Sequence, residues 1–120
     1  MKRLTTLLFS LCCTGCILAA PPANVTQRIP QFENDDILVW KTTIYPKSPL
    51  KMHHHGDARL VVGVKGGRLK KLESTGEISY LDFPTGTVTW VAPDPPQTEH
   101  ACINETDEPI EIMVIQFKNK

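Results

Sequence analysis

Short runs of β-branched, aliphatic and aromatic residues alternate with glycine- and proline-containing turns over most of the chain. The run 37–45 alternates partly between apolar and polar positions, whereas 58–64 is apolar at successive positions, as in a strand covered on both faces. Further runs follow at 68–73, 77–83, 87–92, 100–104 and 110–118. No segment combines a helical apolar period with helix caps. Short strands separated by a turn about every 8–12 residues predict one all-β barrel or sandwich domain.

The first 20 residues follow a different pattern. Lys2 and Arg3 give a positive start, and the uncharged, mostly apolar stretch 4–20 ends in small residues. This layout predicts a secretory signal, because threonine, serine and glycine interrupt a run that would be apolar throughout in a membrane-spanning helix. We therefore expect an exported protein, either periplasmic or secreted.

Two ways of processing this signal remain open. Residues 13–16 resemble a bacterial lipobox, in which Cys16 would be acylated and the protein would become a membrane-anchored lipoprotein. The alternative is ordinary cleavage near Ala20. Residues 21–36 are polar and contain proline, so we expect an N-terminal leader that drapes over the barrel or stays mobile.

Composition narrows the classes of function. Without Lys2 and Arg3, 11 basic and 13 acidic side chains remain, a net charge of −2. No basic stripe is left to neutralise phosphates, so nucleic-acid binding is not expected. Only Cys102 lies outside the signal, which leaves no disulfide framework. A domain of this size then folds on hydrophobic burial, aided by a metal or by dimerisation.

A histidine cluster provides the candidate chemistry. Alternate residues of an extended segment face the same side, so His53 and His55 project together while His54 faces away. Two neutral imidazoles in this arrangement can bind one divalent ion. The alternative is that these histidines are solvated loop residues.

The wider pattern resembles the cupin family over residues 37–118. The residues that carry the resemblance are His53, His55, Arg59 and Gly66 for the first cupin motif, and Pro84, Gly86, His100 and Asn104 for the second. The resemblance implies a double-stranded β-helix barrel. It also implies that His53, His55 and His100 meet in the barrel mouth as ligands of a divalent transition metal (Fe, Mn, Ni or Zn).

Arg59 is the main departure from the cupin pattern. It stands where the first motif has a glutamate ligand, and a guanidinium stays charged and cannot bind a metal. This excludes a three-histidine, one-glutamate site and leaves a three-histidine site or no metal. Asp57 or Glu99 could instead supply the missing ligand. Arg59 itself either receives the carboxylate of a small substrate, as in some thiol dioxygenases of the family, or pairs with one of these acids at the rim.

Two further features bear on function. Cys102 shares the inward parity of His100, so it could contact a substrate, bind a metal as a soft ligand, or pack as a small apolar residue. The outward side chains of 58–64 (Leu60, Val62, Val64) are apolar, so the leader or a second subunit must cover them, and we expect a homodimer.

Three functions fit these observations. The first is a metal-dependent enzyme, such as a dioxygenase or an isomerase, acting on a small organic molecule. The second is a non-catalytic module that holds a small organic anion in the barrel mouth. The third is a structural domain with a relic pocket. The arginine at position 59 favours binding, whereas the three histidines favour a metal site.

Overall fold

The computed structural model describes Gly15 and residues 24–119, which form nine β-strands and no helix. The rest of the predicted signal, with Cys16, lies outside these residues. The strands are β1 (Gln27–Glu33), β2 (Ile37–Ile44), β3 (Leu50–His53), β4 (Arg59–Lys65), β5 (Gly67–Glu73), β6 (Ile78–Phe83), β7 (Val88–Val91), β8 (His100–Ile103) and β9 (Ile110–Phe117). Within the described part, no helix is long and apolar enough to cross a membrane.

The strands build two antiparallel sheets, and this confirms the all-β prediction. One sheet has the order β1-β2-β9-β4-β7 and the other has the order β3-β8-β5-β6. Apart from the pairs β1–β2 and β5–β6, neighbouring strands in both sheets come from distant parts of the chain. The pairing of β3 with β8 places His53 directly opposite His100, so the topology itself joins the two histidine-bearing segments.

The core lies between the two sheets. In β2 and β9, alternate side chains are buried, as the period of a strand with one covered face requires. The buried apolar residues are Trp40, Ile44, Val61, Leu69, Phe83, Cys102, Ile110, Ile112 and Val114. Asn104 is also buried, and its amide donates to the carbonyls of Ile44 (2.8 Å) and Glu108 (2.7 Å). Asn104 therefore ties the end of β2 to the turn before β9.

Two glycines permit close backbone contact beside the core. A Cβ at Gly66 would overlap the backbone of Phe83 and Thr85, and a Cβ at Gly63 would overlap that of Pro84. The turn after β6 therefore packs directly on β4, and any larger residue at these positions would separate the two sheets at this edge.

Two strands were not predicted. β1 forms within the expected leader and pairs with β2 as the edge of the five-stranded sheet, although all its residues are exposed. Backbone hydrogen bonds to β2 hold β1 at the sheet edge. Backbone pairing requires no alternation of apolar and polar side chains, so the sequence carries no signal for this strand. β3 has only four residues, of mixed polarity. Such a segment is recognisable only when β8 is beside it.

One row across the outer face of the five-stranded sheet is apolar in every strand, although Lys41 and Glu111 form an ion pair elsewhere on this sheet. The paired residues Phe32, Val39, Ile115, Leu60 and Trp90 form one continuous row. Strand β1 lies at the edge of this face and does not cover it. Trp90 and Val88 remain about 60% exposed. The homodimer predicted from this parity stays a prediction.

Candidate functional site

The three predicted histidines meet at one end of the barrel. His53 ends β3, His100 begins β8, and His55 lies in the loop that leads to β4. The ring centroid of His53 lies 4.4 Å from that of His100 and 4.8 Å from that of His55. The ring centroids of His55 and His100 are 5.8 Å apart. Residues far apart in sequence thus form one cluster.

His53 is held in a form suited to metal binding. Its Nδ1 donates to the carbonyl of Lys51 at 2.6 Å, since a carbonyl oxygen can only accept. The Nε2 atom is then left as the nitrogen with a lone pair. Backbone support of this kind fixes the orientation of many metal-binding imidazoles.

Cys102 joins His53 and His100 in the set of donors that lie closest together. Their candidate ligand atoms all lie within 4.8 Å of one another. His100 and Cys102 alternate along β8, so both side chains point inward. The His100 Nδ1 atom is buried, and although Asp94 Oδ2 lies 3.3 Å away, this nitrogen has no contact with hydrogen-bond geometry among the described residues. Two imidazoles and a thiol this close together fit a divalent metal ion.

His55 belongs to the same cluster but faces other partners. Its ring stacks on that of Trp40, with 5.9 Å between the ring centroids and an interplanar angle of 2°. Its Nε2 accepts a hydrogen bond from Arg28 at 3.3 Å, and its Nδ1 lies 3.5 Å from the side-chain oxygen of Gln116. Both ring nitrogens are therefore engaged with residues of the five-stranded sheet.

Asp94 organises the mouth and was not predicted as a site residue. It is buried, accepts a hydrogen bond from the backbone nitrogen of His55 at 2.7 Å, and lies 3.3 Å from His100 Nδ1. Burial alone would raise the pKa of Asp94. The hydrogen bond from the His55 N–H and the neighbouring His100 and Arg59 outweigh this effect, so the pKa of Asp94 lies below its ordinary value. Asp94 is thus a buried carboxylate behind the histidines.

Arg59 points inward, as its parity predicted, but its counter-ion differs from the two expected. It is buried, and its guanidinium lies 3.8 Å from Asp94. Neither Asp57 nor Glu99 pairs with it: Asp57 bonds to Gln116 and Asn119, and Glu99 is exposed beside Ser74. These two acids also lie outside the close donor set.

Arg28 is a second cation at the mouth, and sequence analysis missed it. It comes from β1, and its guanidinium lies 5.0 Å from the centre of the Trp40 ring. The segment around it is polar and irregular, so no period drew attention to this residue. Asp94 had a stronger signal, as the acidic residue of the proline-rich loop before His100.

His54 lies outside this group, as predicted. It is exposed, and its Nδ1 donates to the carbonyl of Thr98 at 2.6 Å. It ties the loop after β3 to the loop before β8. It therefore supports the mouth without facing into it.

A pocket connects the mouth with the apolar core. The space inside it that the centre of a water-sized molecule can reach is about 40 Å³, and the pocket opens to solvent at the mouth. The polar residues of its wall are the three histidines with Arg28, Arg59, Thr42 and Cys102, and deeper in it is lined by aliphatic and aromatic side chains. An apolar cavity with a few convergent polar groups is the usual form of a small-molecule site.

The electrostatics of the mouth keep the histidines neutral. Burial, followed by the charges of Arg59 and Arg28, lowers the pKa of His55 to about 3. Burial, followed by His53, lowers the pKa of His100 to about 4. Burial also lowers the pKa of His53, and it raises the pKa of the Cys102 thiol to about 11. A metal would meet imidazoles ready to bind but would have to displace the thiol proton.

Comparisons with known proteins bear on the fold. No protein-family model and no curated protein matches the sequence. Among solved structures, a cupin domain from Bordetella pertussis aligns with a TM-score of 0.70 and 19% identity over 83% of this chain and 100% of that chain. A protein with a double-stranded β-helix domain from Klebsiella pneumoniae aligns with a TM-score of 0.59 and 16% identity over 84% and 90%. An RmlC-like cupin from Methanocaldococcus jannaschii aligns with a TM-score of 0.60 and 10% identity over 79% and 82%. The chain therefore has the cupin fold, the double-stranded β-helix that its motifs resemble.

Proposed function

We propose that the protein binds a divalent transition metal in the barrel mouth and there holds or converts a small organic molecule. The observation that carries the proposal is the convergence of His53, His100 and Cys102 within 4.8 Å at the head of an apolar pocket. His55, the remaining histidine of the predicted set, stands close enough to join them after a change of partners.

The donor chemistry narrows the metal. A thiolate and two imidazoles favour Zn²⁺, Fe²⁺ or Ni²⁺ over Mn²⁺, which prefers oxygen ligands. Three protein ligands leave a coordination position open, and a metal held in this way supplies a Lewis acid or a redox centre. The chain's own residues orient the ligands: Lys51 fixes the His53 ring, and Asp94 lies behind His100.

A non-catalytic binding protein is the second candidate. Two guanidinium groups, those of Arg28 and Arg59, lie near the histidines and contribute to lowering the pKa of His55. The same positive field opposes a dication. If that field prevails, the pocket binds a small organic molecule without a metal.

Metal titration of the full chain, purified without a histidine tag, distinguishes the two candidates. We expect about one Co²⁺ per chain, with near-ultraviolet thiolate-to-metal absorption. Because each substitution removes a ligand, Cys102→Ser and His100→Ala should weaken binding about 100-fold or more, beyond the usual effect of residues that only support ligands. Cys102→Ser should also abolish the absorption band.

The matched control replaces the three cysteines of the predicted signal (Cys12, Cys13 and Cys16) by serine and retains Cys102. This variant should keep both the affinity and the absorption. Absence of binding in the native chain, or an unchanged band in Cys102→Ser, would contradict the metal proposal and favour the second candidate.

Export completes the proposed function. The signal pattern of residues 1–20 supports a periplasmic or secreted location, and Cys16 supports a lipid anchor. Mass spectrometry of the protein from cells tests both. A chain beginning at acylated Cys16 supports the lipoprotein, and one beginning near Pro21 supports ordinary cleavage. An uncleaved chain in the cytoplasm would contradict export.

A further inference from the structure

Among the described residues, two arginines lie over aromatic rings, and their surroundings differ. Arg68 lies 5.6 Å from the Tyr80 ring centre, and its Nε donates to Asp82 at 2.8 Å on the surface. Arg28 lies over Trp40, and no acidic side chain of the described residues pairs with it. Its one hydrogen bond goes to the neutral ring of His55.

The position of Arg28 adds to this contrast. Its side chain lines the pocket of the barrel mouth and also two larger, more open depressions beside it, one next to Ser48 and His53 and one next to His54 and Gln116. Arg28 lies on an exposed strand, so a ligand entering the mouth can reach its guanidinium, which has no acidic counter-charge among the described residues. An anion that enters the mouth would supply that charge.

We propose that Arg28 binds the carboxylate of a small organic acid whose apolar part lies in the barrel. A planar guanidinium can bind both carboxylate oxygens at once, and the Trp40 ring supports it from one side. Arg59 is less suited to this role because Asp94 already neutralises it. Leu50, Leu81 and Val91 line the pocket and would contact the apolar part.

One consequence links the acid to the metal. Arg28 bonds to the His55 Nε2 atom, the one ring nitrogen of His55 whose lone pair could bind a metal. A carboxylate that draws the guanidinium away would free this nitrogen to turn toward His53 and His100. Acid and metal would then favour each other, and the effect must be reciprocal. This step rests on the proposed metal site, whereas carboxylate binding by Arg28 does not.

The first test uses metal-stripped full-length protein in a buffer free of chelator and carboxylates, with Trp90→Phe so that Trp40 alone reports. Sodium butyrate is the probe and butyramide its neutral counterpart. Because butyramide lacks the charge, butyrate should bind at least about tenfold more tightly. Arg28→Gln should reduce butyrate binding to the level of butyramide, and Arg28→Lys should fall between. Equal binding of the two probes, or native affinity in Arg28→Gln, would overturn the proposal.

Arg68→Gln is the matched control, since it removes an arginine over an aromatic ring on the other sheet, and it should leave butyrate binding unchanged. A loss equal to that of Arg28→Gln would mean that net charge alone sets the affinity, against the proposal. A second titration with Co²⁺ tests the link. Butyrate should tighten Co²⁺ binding in the native chain, whereas Arg28→Gln should bind Co²⁺ more tightly without butyrate and show no further gain. Failure of Co²⁺ binding in every form contradicts the metal site alone.

Discussion

The two sheets contribute different chemistry to the same pocket. The four-stranded sheet supplies the candidate metal donors from its neighbouring strands β3 and β8, namely His53, His100 and Cys102. The five-stranded sheet supplies both guanidinium groups, Arg28 from β1 and Arg59 from β4. The two-layered barrel thus places the donors and the cations on opposite walls of one pocket, and this matters because a cation near a metal lowers the affinity of the site for that metal.

The outer faces of the two sheets differ as well. On the four-stranded sheet, opposite charges pair across strands, as with Arg68 and Asp82, and Lys70 pairs with Glu105. The five-stranded sheet also has a charged pair between strands, Lys41 with Glu111, but its outer row from Phe32 to Trp90 is apolar. The first pattern is typical of a face in contact with water, and the second of a face that meets another protein surface.

Asp94 connects the two halves of the mouth, and its substitution should have the largest effect on stability. Asp94→Asn keeps the size and an acceptor for the His55 N–H but leaves the buried Arg59 charge unpaired. Breaking a buried pair on one side destabilises by about 3 kcal/mol. We expect a loss of that size in the free energy of unfolding, measured with urea at pH 7.5.

The exposed pair of Arg68 and Asp82 provides the control for this experiment. Asp82→Asn removes the same kind of charge from a solvated ion pair, so it should change stability little. An equally small effect of Asp94→Asn would mean that Arg59 is solvated in solution. The Arg59–Asp94 pair at the mouth would then be no different from the exposed Arg68–Asp82 pair.

The pH dependence of stability tests whether histidines on both sides of the mouth are buried and neutral. The folded pKa values of His55 (about 3) and His100 (about 4) lie below the ordinary 6.5. As the pH falls below about 6.5, the unfolded chain takes up protons that the folded chain refuses, so stability is full above this pH and declines toward pH 4. Between pH 7.5 and 5, metal-free protein should lose about 2 kcal/mol or more.

The control for the pH experiment is His54→Gln, which removes an exposed imidazole and should leave the decline unchanged. Asp94 does not contribute to the decline in stability between pH 7.5 and 5. Its folded pKa is lowered, so the stability it provides is lost only as the pH falls below its ordinary value of 3.8. A flat profile between pH 7.5 and 5 would show that the histidines are accessible to water.

The sequence predicted those parts of the fold and site that depend on local alternation. The inward directions of His53, Arg59, His100 and Cys102 follow from parity along their strands, and the cupin spacing joined the two segments. Asp94, by contrast, acts from a proline-rich loop without a period. Arg28 reaches the mouth because β1 pairs with β2 through backbone hydrogen bonds, which no side-chain pattern records. Which ring nitrogen meets which partner depends on packing across both sheets.

The smallest expected effect concerns the outer face of the five-stranded sheet. A homodimer would cover the row from Phe32 to Trp90. On the same face, the ring centroids of Trp90 and Phe117 are 5.8 Å apart. Trp90→Glu should weaken self-association about tenfold, because a large aromatic side chain that becomes buried in an interface typically contributes at least this much to binding. Tyr80→Glu makes the same change at a similarly exposed site on the four-stranded sheet and should have no effect. Sedimentation velocity over a concentration series measures both. A native chain that stays monomeric, or equal effects of the two substitutions, would mean that the apolar row serves another purpose than pairing two copies.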